Sequence, residues 1–490
     1  MLLHARLRML LPMPILMPMP ILMPASVLMP SSIPKPRSTL HDSSATALPR
    51  TLSIAVAAVL TACASPTTLP TKAAVEAAPT PATCPDGVPA GARCLRGQDS
   101  AKAHYLIVMP AQWNGVLVVH AHGGPALGEP KVERSDEDIK RWAITVRAGY
   151  AWAGSVFRQG GVAVRSAAED TERVRQIFVE HVAKPRRTLL HGQSWGAGVA
   201  AKLAEMVAGT SPAPYDAVLL SSGVLGGGTR SYDFRLDLRA VYQFYCANHP
   251  LASEPAYPLW MGLPPDAKLT RAELTRRVDD CLGTAQPAAQ RSPEQQRRLN
   301  NIAAVVRIPE SSVQGHLSWA TWHFQDIVQR RTLGSNPFGN EGVRYIGSDD
   351  DAALNAGVLR DRADPQAVAT FNADAGLSGR IGVPVLTVHG IGDPTAFVEL
   401  QSAFGETMAL GGSAQRLVQT YTDDAQHSYL SDPVYPALFA SLLEWADSGD
   451  KPTPAGIAQR CKAFEATFGA GCRFLPDYRA APLAARVAPR

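Results

Sequence analysis

A serine lies at the centre of the pentapeptide 192–196, Gly-Gln-Ser-Trp-Gly, which fits the pattern G-x-S-x-G. An apolar stretch at 188–190 precedes it and small residues at 196–198 follow it, an order that predicts a strand, a sharp turn and a helix. Such a turn exposes the serine hydroxyl, and the two flanking glycines leave room for the backbone to bend. The amino-terminal end of the next helix favours negative charge beside the hydroxyl. Ser194 is therefore a candidate nucleophile.

A serine hydroxyl is a weak nucleophile, so it needs a base and a residue that orients the base. Downstream of Ser194 the chain offers an acid and then a histidine. Asp393 follows the apolar stretch 384–389, and His427 follows the stretch 416–421. Because the loops that follow parallel strands gather at one edge of a sheet, both side chains are expected near the serine. The pattern predicts a triad of serine, histidine and aspartate.

Five other histidines are given structural interpretations. His191 is expected to pack beneath the serine turn, and His389, at the end of an apolar stretch, is expected to be structural. His120 fits a core or strand-end position. His316 and His323 fall in a more polar region and are expected to be exposed or part of a local core rather than functional.

The elements that must position the triad follow from the apolar pattern. Between 104 and 228, apolar stretches of strand length alternate with segments of helical spacing. The interval 224–380 is more polar and helix-like, and it is too long for a simple crossover between strands. The sequence therefore predicts an α/β fold with a buried, mostly parallel sheet and a large inserted, mainly helical cap domain at 224–380. The core is expected to comprise 84–223 and 381–490.

These motifs together resemble those of the α/β-hydrolase family, over about 104–228 and 380–450. The resemblance implies an α/β-hydrolase core in which Ser194 is the nucleophile, Asp393 the acid and His427 the base. It also implies an oxyanion hole formed by the backbone N–H groups of Gly124 and Trp195. Trp195 is bulky for the position after the serine.

The resemblance implies a serine hydrolase that cleaves carboxylic esters through an acyl-enzyme, without a metal or an organic cofactor. A peptidase or amidase is an alternative, because the same triad attacks amide bonds. A second alternative, of another class, is a catalytically silent surface lipoprotein that binds a ligand. The expected partner is a small or polymeric ester or a peptide, and the sequence does not indicate an oligomeric state.

The first 63 residues are typical of an export signal preceded by a low-complexity leader of methionine and proline. The tetrapeptide 60–63, Leu-Thr-Ala-Cys, resembles a bacterial lipobox in which Cys63 is lipidated. Cleavage after Ala64 is the alternative, and it would release a secreted protein. Residues 64–83 are expected to form a flexible tether. An exported protein, held at a bacterial membrane by a lipid anchor and facing the periplasm or the cell surface, is the favoured prediction.

Six cysteines remain once Cys63 is set aside, and an even number in an exported chain predicts disulfide bonds. A zinc site is disfavoured because no C-x-x-C spacing occurs. The simplest connectivity joins neighbours along the chain, as Cys84–Cys94, Cys246–Cys281 and Cys461–Cys472.

The charge of the chain disfavours polyanionic partners. The formal net charge is +4, and the first 63 residues contain five basic residues and one acidic residue. The remainder therefore has 42 residues of each sign. A balanced chain gives no electrostatic attraction to nucleic acid or to an anionic membrane, so contact with a membrane is expected only through the lipid anchor.

Overall fold

The computed structural model describes residues 75–490. The expected export signal, Cys63 and residues 64–74 of the expected tether lie outside the described residues. Across residues 75–490, no helix combines the length and the apolar character needed to cross a membrane.

Nine strands form one sheet in the described part of the chain. They are β1 (Thr80–Ala82), β2 (Arg93–Gln98), β3 (His104–Met109), β4 (Val116–Ala121), β5 (Ala151–Ser155), β6 (Arg187–Gln193), β7 (Ala217–Ser221), β8 (Val385–Gly390) and β9 (Leu417–Thr422). Their spatial order is β1-β2-β3-β5-β4-β6-β7-β8-β9. The pairs β1–β2, β2–β3 and β3–β5 are antiparallel, and the five remaining pairs are parallel.

The described residues also form twelve α-helices. They are α1 (Arg134–Arg147), α2 (Val164–His181), α3 (Trp195–Met206), α4 (Asp233–Cys246), α5 (Arg271–Leu282), α6 (Pro293–Val306), α7 (Val313–Asp326), α8 (Asp351–Gly357), α9 (Pro365–Ala375), α10 (Glu399–Leu410), α11 (Val434–Ser448) and α12 (Pro454–Phe468). Helices α2 and α3 pack on one face, and α1 and α11 pack on the other. Leu117 and Val119 of β4 join the first apolar cluster, whereas Val116 and Val118 join the second. This alternation with a period of two explains why the central strands are apolar throughout.

Helices α4 to α9 lie between β7 and β8, in what we call the inserted segment, residues 222–384. The predicted fold class is confirmed, because the sheet is mostly parallel and a large, mainly helical segment interrupts it. The domain boundaries at 224 and 380 stay predictions.

The topology brings the candidate residues to one edge of the sheet. Strand β4 pairs in parallel with β5 on one side and with β6 on the other, so the order of connections reverses there. Loops at the carboxyl ends of strands beside such a reversal form a crevice. The serine follows β6 and the candidate acid follows β8, which are parallel to β4 through β7.

The prediction of a flexible tether over residues 64–83 is wrong for its last residues. Residues Thr80–Ala82 form β1, which pairs antiparallel with β2 at the edge of the sheet. Glu76 is buried, and its carboxylate accepts hydrogen bonds from the Ser100 N–H at 2.7 Å and from the Ser100 hydroxyl at 2.6 Å. A composition of alanine, proline and threonine resembles a linker, but backbone pairing at a sheet edge does not depend on those side chains.

The three expected disulfide bonds are present. Their Cα–Cα distances are 5.2, 5.8 and 5.8 Å for Cys84–Cys94, Cys246–Cys281 and Cys461–Cys472. The first ties the segment before β2 to that strand, and the second ties the end of α4 to α5. The third ties α12 to the carboxyl-terminal segment. Each bond therefore closes a local loop, as the nearest-neighbour pairing predicts.

Candidate active site

Ser194 stands at the turn between β6 and α3 in a strained backbone conformation. Its φ is 57° and its ψ is −122°, a region that side chains other than glycine rarely adopt. Backbone hydrogen bonds to the neighbouring segments hold the residue there. Its N–H donates to the Ser221 carbonyl at 2.9 Å, and its carbonyl accepts from the Val224 N–H at 3.0 Å. The turn thus has the strand, strained serine and helix that the pentapeptide predicts.

The two glycines of the pentapeptide lie where there is no space for a side chain. A methyl group on Gly196 would overlap the carbonyl oxygens of Ala121 and His122, and one on Gly192 would lie 2.7 Å from the Cα of Ala197. A side chain at Gly196 would separate α3 from the end of β4, and one at Gly192 would separate α3 from β6. The two glycines therefore allow the close approach of helix and strand that gives the turn its shape.

The three candidate residues form a continuous hydrogen-bonded chain. Ser194 Oγ lies 2.7 Å from His427 Nε2, and His427 Nδ1 lies 2.7 Å from Asp393 Oδ2. The imidazole therefore has its Nδ1–H directed at the carboxylate and its Nε2 facing the hydroxyl. The His427 side chain keeps 18% of its surface exposed, whereas the Asp393 side chain is fully buried. The base is thus within reach of a substrate, and the acid is shielded from water.

The Asp393 carboxylate is held as an anion. Its Oδ1 accepts backbone N–H groups of Thr395 at 2.8 Å and Ala396 at 3.0 Å. Burial alone would raise the pKa of Asp393, but the hydrogen bonds from His389 and His427 outweigh burial and hold that pKa below its ordinary value. A carboxylate that stays ionised is suited to fixing an imidazole tautomer.

His389 positions the acid, in agreement with its expected structural role. Its Nε2 lies 2.8 Å from the Ala396 carbonyl and 3.4 Å from Asp393 Oδ2. The Gln401 amide lies 2.9 Å from its Nδ1 and serves as a donor there. These contacts define the tautomer with the proton on Nε2, so that His389 and His427 both direct an N–H at Asp393 Oδ2.

The glycine loop after β4 packs directly against the serine. A methyl group on Gly123 would lie 2.9 Å from Ser194 Cβ, so only glycine allows this approach. Arg134 of α1 donates from Nη2 to the Gly123 carbonyl at 2.6 Å and pairs with Asp138 at 3.2 Å. Gly124 has a φ of 71°. No sequence motif marked Arg134 as the residue that fixes this loop.

Trp195, the other expected oxyanion residue, opens α3, where a backbone N–H has no partner within the helix. Trp195 lines a cavity of about 280 Å³ together with His122, Phe157 and Arg134. The ring meets Phe157 edge-on at 6.0 Å between centroids. A bulky residue after the serine therefore fits, because its ring is buried against Phe157.

Two histidines of α7 join the inserted segment to the loops beside Ser194. His316 Nε2 lies 2.9 Å from the Pro394 carbonyl, next to the candidate acid. His323 Nε2 lies 3.0 Å from the Pro125 carbonyl, next to the glycine loop. The two histidines are seven residues apart, so they share one face of the helix about 10.5 Å apart along its axis. Sequence reasoning missed this role, although that spacing was visible.

Both histidines are neutral donors. Burial, reinforced by the positive charge of Arg235, lowers the pKa of His316 to about 3. Burial also lowers the pKa of His323 to about 4, although its bond to Pro125 opposes the shift and Arg235 adds to it. A neutral imidazole with an Nε2 proton donates to a carbonyl oxygen, so α7 spans the site on two hydrogen bonds.

The chain has the α/β-hydrolase fold. Three solved structures are similar to it: feruloyl esterase B from Aspergillus oryzae, the rice cell wall degrading esterase LipA from Xanthomonas oryzae and an alpha/beta hydrolase fold protein from Nakamurella multipartita. Their identities are 13%, 13% and 14%, and their TM-scores are 0.42, 0.34 and 0.30. The matches cover 77%, 69% and 77% of this chain and 88%, 84% and 100% of the other chains.

None of the protein-family models and none of the curated proteins matches the sequence. The TM-scores of the three structures lie below 0.5. The fold assignment therefore comes from the chain's own strand order and from the strained serine between β6 and α3.

Proposed function

We propose that this protein is a serine hydrolase that cleaves carboxylic esters through an acyl-enzyme intermediate. The observation that carries the proposal is the chain of two 2.7 Å contacts from Ser194 through His427 to Asp393, on a strained strand-to-helix turn. A nucleophile, a base and a group that orients the base are the parts that acyl transfer needs.

In the first half of the reaction, Ser194 Oγ forms a bond to the carbonyl carbon while His427 Nε2 takes the hydroxyl proton. The bond from that carbon to the alcohol oxygen then breaks, and His427 gives its proton to the departing alcohol. In the second half, water gives a proton to His427 as its oxygen bonds to the acyl carbon. Ser194 leaves with that proton, so the net products are an acid and an alcohol.

The negative charge on the tetrahedral oxygen is assigned to the backbone N–H groups of Gly124 and Trp195. The Trp195 N–H lies at the amino-terminal end of α3, where the helix favours an anion. The Arg134 bond to the Gly123 carbonyl holds the glycine loop against the serine. Each donor of this kind stabilises the transition state by about 3 kcal/mol.

We further propose that the protein is exported and carries a lipid on Cys63. Three disulfide bonds support export, because such bonds persist in oxidising compartments. Mass spectrometry of the mature amino terminus tests the anchor. A diacylglyceryl group on Cys63 supports it, and an unmodified terminus created by cleavage after Ala64 contradicts it.

Labelling with a fluorophosphonate probe tests the proposed activity. The wild-type protein should be labelled at Ser194, and the Ser194→Ala variant should not be labelled. Ser448→Ala, which removes an exposed hydroxyl at the end of α11, is the matched control and should label like wild type. Equal labelling of wild type and Ser194→Ala would reject the mechanism and favour a silent, ligand-binding protein.

A further inference from the structure

A buried arginine of the inserted segment has no acidic partner among the described residues. Arg235, on α4, is only 5% exposed. Its guanidinium carbon lies 4.2 Å from the centre of the Trp319 ring and 4.5 Å from that of Phe234. Its only hydrogen bond with the described residues runs from Nη1 to the Ser231 carbonyl at 3.5 Å, and its buried Nε has none. Nη2 also has no hydrogen bond there but, unlike Nε, keeps some exposed surface.

The acids of α4 cannot neutralise this arginine. Asp233 and Asp237 are one helical turn apart and pair with Arg490, at 3.5 and 2.8 Å. Arg235 is two positions from each of them and therefore points to a different side of the helix. Burial lowers the pKa of Arg235 to about 9, and among residues 75–490 only Tyr232, not a carboxylate, opposes this shift. A buried guanidinium without an anion is costly, so Arg235 is suited to pair with an anion that residues 75–490 do not supply.

The guanidinium lies between the two contacts that flank Ser194. On one side, Phe234 touches His316 at 5.0 Å between ring centres, and His316 reaches the loop of Asp393. On the other side, Trp319 stacks on His323 at 4.5 Å, and His323 reaches the glycine loop. Arg235 is close enough to both histidines for its charge to lower their pKa values. It therefore occupies the part of the inserted segment that covers the triad.

We propose that Arg235 binds a carboxylate carried by the substrate, so that the preferred substrates are esters with a free carboxylate. This inference rests on the proposed ester hydrolase function. A carboxylate accepts two parallel hydrogen bonds from a guanidinium, which would use the donors that lack partners. The neighbouring rings of Phe234 and Trp319 restrict the orientation of the guanidinium and limit the substrate positions that satisfy it.

Arg239, one turn further along α4, is a matched control. It is 1% exposed, and its buried Nε and Nη2, like Nε of Arg235, have no hydrogen bond with the described residues. Its Nη1, however, donates to the carbonyls of Gly262 at 2.5 Å and Ala320 at 3.3 Å. Both arginines are buried on the same helix, and only Arg235 stands beside aromatic rings that reach the triad. A general effect of losing a buried arginine from α4 should therefore appear when either Arg235 or Arg239 is replaced. Loss of an anion site should appear only when Arg235 is replaced.

Two matched substrate pairs test the proposal. The 4-nitrophenyl monoester of adipate and 4-nitrophenyl hexanoate differ by a carboxylate on the acyl side. 4-Carboxyphenyl acetate and 4-methylphenyl acetate differ by a carboxylate on the leaving group. Wild type should prefer the anionic member of one pair, and the pair that responds shows which side of the ester faces Arg235.

The decisive quantity is the ratio of kcat/KM within a pair, because misfolded protein lowers both values equally. Arg235→Gln should lower kcat/KM for the preferred anionic ester by roughly 10- to 100-fold and for its uncharged partner by less than about threefold. Arg235→Lys should restore part of the difference, and Arg239→Gln should leave the ratio as in wild type. Equal ratios in wild type and Arg235→Gln for both pairs would overturn the proposal.

A binding measurement separates this inference from the proposed function. Calorimetry on the Ser194→Ala variant would compare the mono-4-nitroanilide of adipate with hexanoyl-4-nitroanilide. Tighter binding of the anionic ligand that disappears in Ser194→Ala/Arg235→Gln supports the anion site, even if wild type cleaves no ester. Equal binding of the two ligands, together with no preference in either ester pair, rejects the site, even if the protein proves to be a serine hydrolase.

Discussion

The core and the inserted segment treat a buried charge in opposite ways where they meet at Ser194. In the core, the Asp393 carboxylate accepts two backbone N–H groups and also contacts the imidazoles of His427 and His389. In the inserted segment, the Arg235 guanidinium has aromatic rings and one long hydrogen bond. A buried ion is stable when its hydrogen-bonding capacity is used. The core thus supplies the hydrogen-bond partners of Asp393 itself. We propose that the substrate supplies the partner of Arg235 in the inserted segment.

The contrast separates chemistry from selection. Groups that move protons must be oriented before the substrate arrives, because reorganisation during the reaction raises the barrier. A group that selects a substrate gains most when the wrong substrate leaves it unpaired. Changes in the core should therefore lower the activity on all substrates alike. A change at Arg235 should lower the activity on anionic esters more than the activity on uncharged esters.

Asp393→Asn tests the core side of the comparison and has the largest expected effect. The amide cannot balance the positive imidazole, so kcat should fall by about 10³- to 10⁴-fold while KM changes little. Steady-state kinetics on a charged and an uncharged ester measures the loss, which should be the same for both. A variant that keeps more than about a tenth of the wild-type rate would show that another residue orients His427.

The grouping of Ser194, Asp393 and His427 was predictable from sequence because each of them follows a stretch typical of a strand. The loops that follow parallel strands lie at one edge of the sheet. Ser194, Asp393 and His427 could therefore be predicted to lie close together before any interatomic distance was known. The strained turn was predictable as well, since glycines at both ends of the pentapeptide leave space for a sharp bend that larger side chains would block.

The part of the site in the inserted segment was not predictable in this way. His316 and His323 reach loops far away in sequence, at Pro394 and Pro125. Arg235 lies against Phe234 and Trp319, the rings that contact these two histidines. A helix that carries tryptophan, phenylalanine and histidine at helical spacing looks like local core. Only the tertiary packing shows that one face of α7 lies over the serine.

Gly196→Ala probes the close packing of the core turn and should have the next largest effect. The new methyl group would overlap the carbonyls of Ala121 and His122, which belong to backbone and cannot rotate away. Overpacking of this kind should lower the free energy of unfolding by about 1–3 kcal/mol. Thermal melting measures the loss, and fluorophosphonate labelling of Ser194 should slow. An unchanged melting temperature would contradict the close approach of α3 to β4.

The inserted segment should respond to pH through His316. Arg235, Asp393 and His427 are the charged or titratable groups that face it. Its pKa is about 3 in the folded protein and ordinarily about 6.5, so below pH 6.5 the unfolded chain binds the proton that the folded protein excludes. Its contribution to stability is full above pH 6.5 and is lost as pH falls towards 3, with a slope of about 1.4 kcal/mol per pH unit.

His316→Gln should remove that slope while keeping a donor for the Pro394 carbonyl. Melting temperatures at pH 7, 6 and 5 should therefore converge in the variant more than in wild type. His323, whose pKa is lowered to about 4, still titrates in the variant, so part of the dependence should remain. The same pH dependence in both proteins would mean that His316 is not excluded from protonation in the folded state.

Gly315→Ala has the smallest expected effect. It tests whether the stability of α7, with its histidine contacts unchanged, affects the reactivity of Ser194. Gly315 is exposed in the first turn of this helix, and no atom outside the helix backbone lies within 4 Å of the position of a new Cβ. Alanine should raise stability by about 0.5 kcal/mol, because it restricts the unfolded chain and favours the helix. Labelling of Ser194 and the preference for anionic esters should stay as in wild type, since the hydrogen bonds of His316 and His323 are unchanged. A faster or slower labelling rate would mean that access to Ser194 depends on local opening of α7, so that the inserted segment controls entry as well as selection.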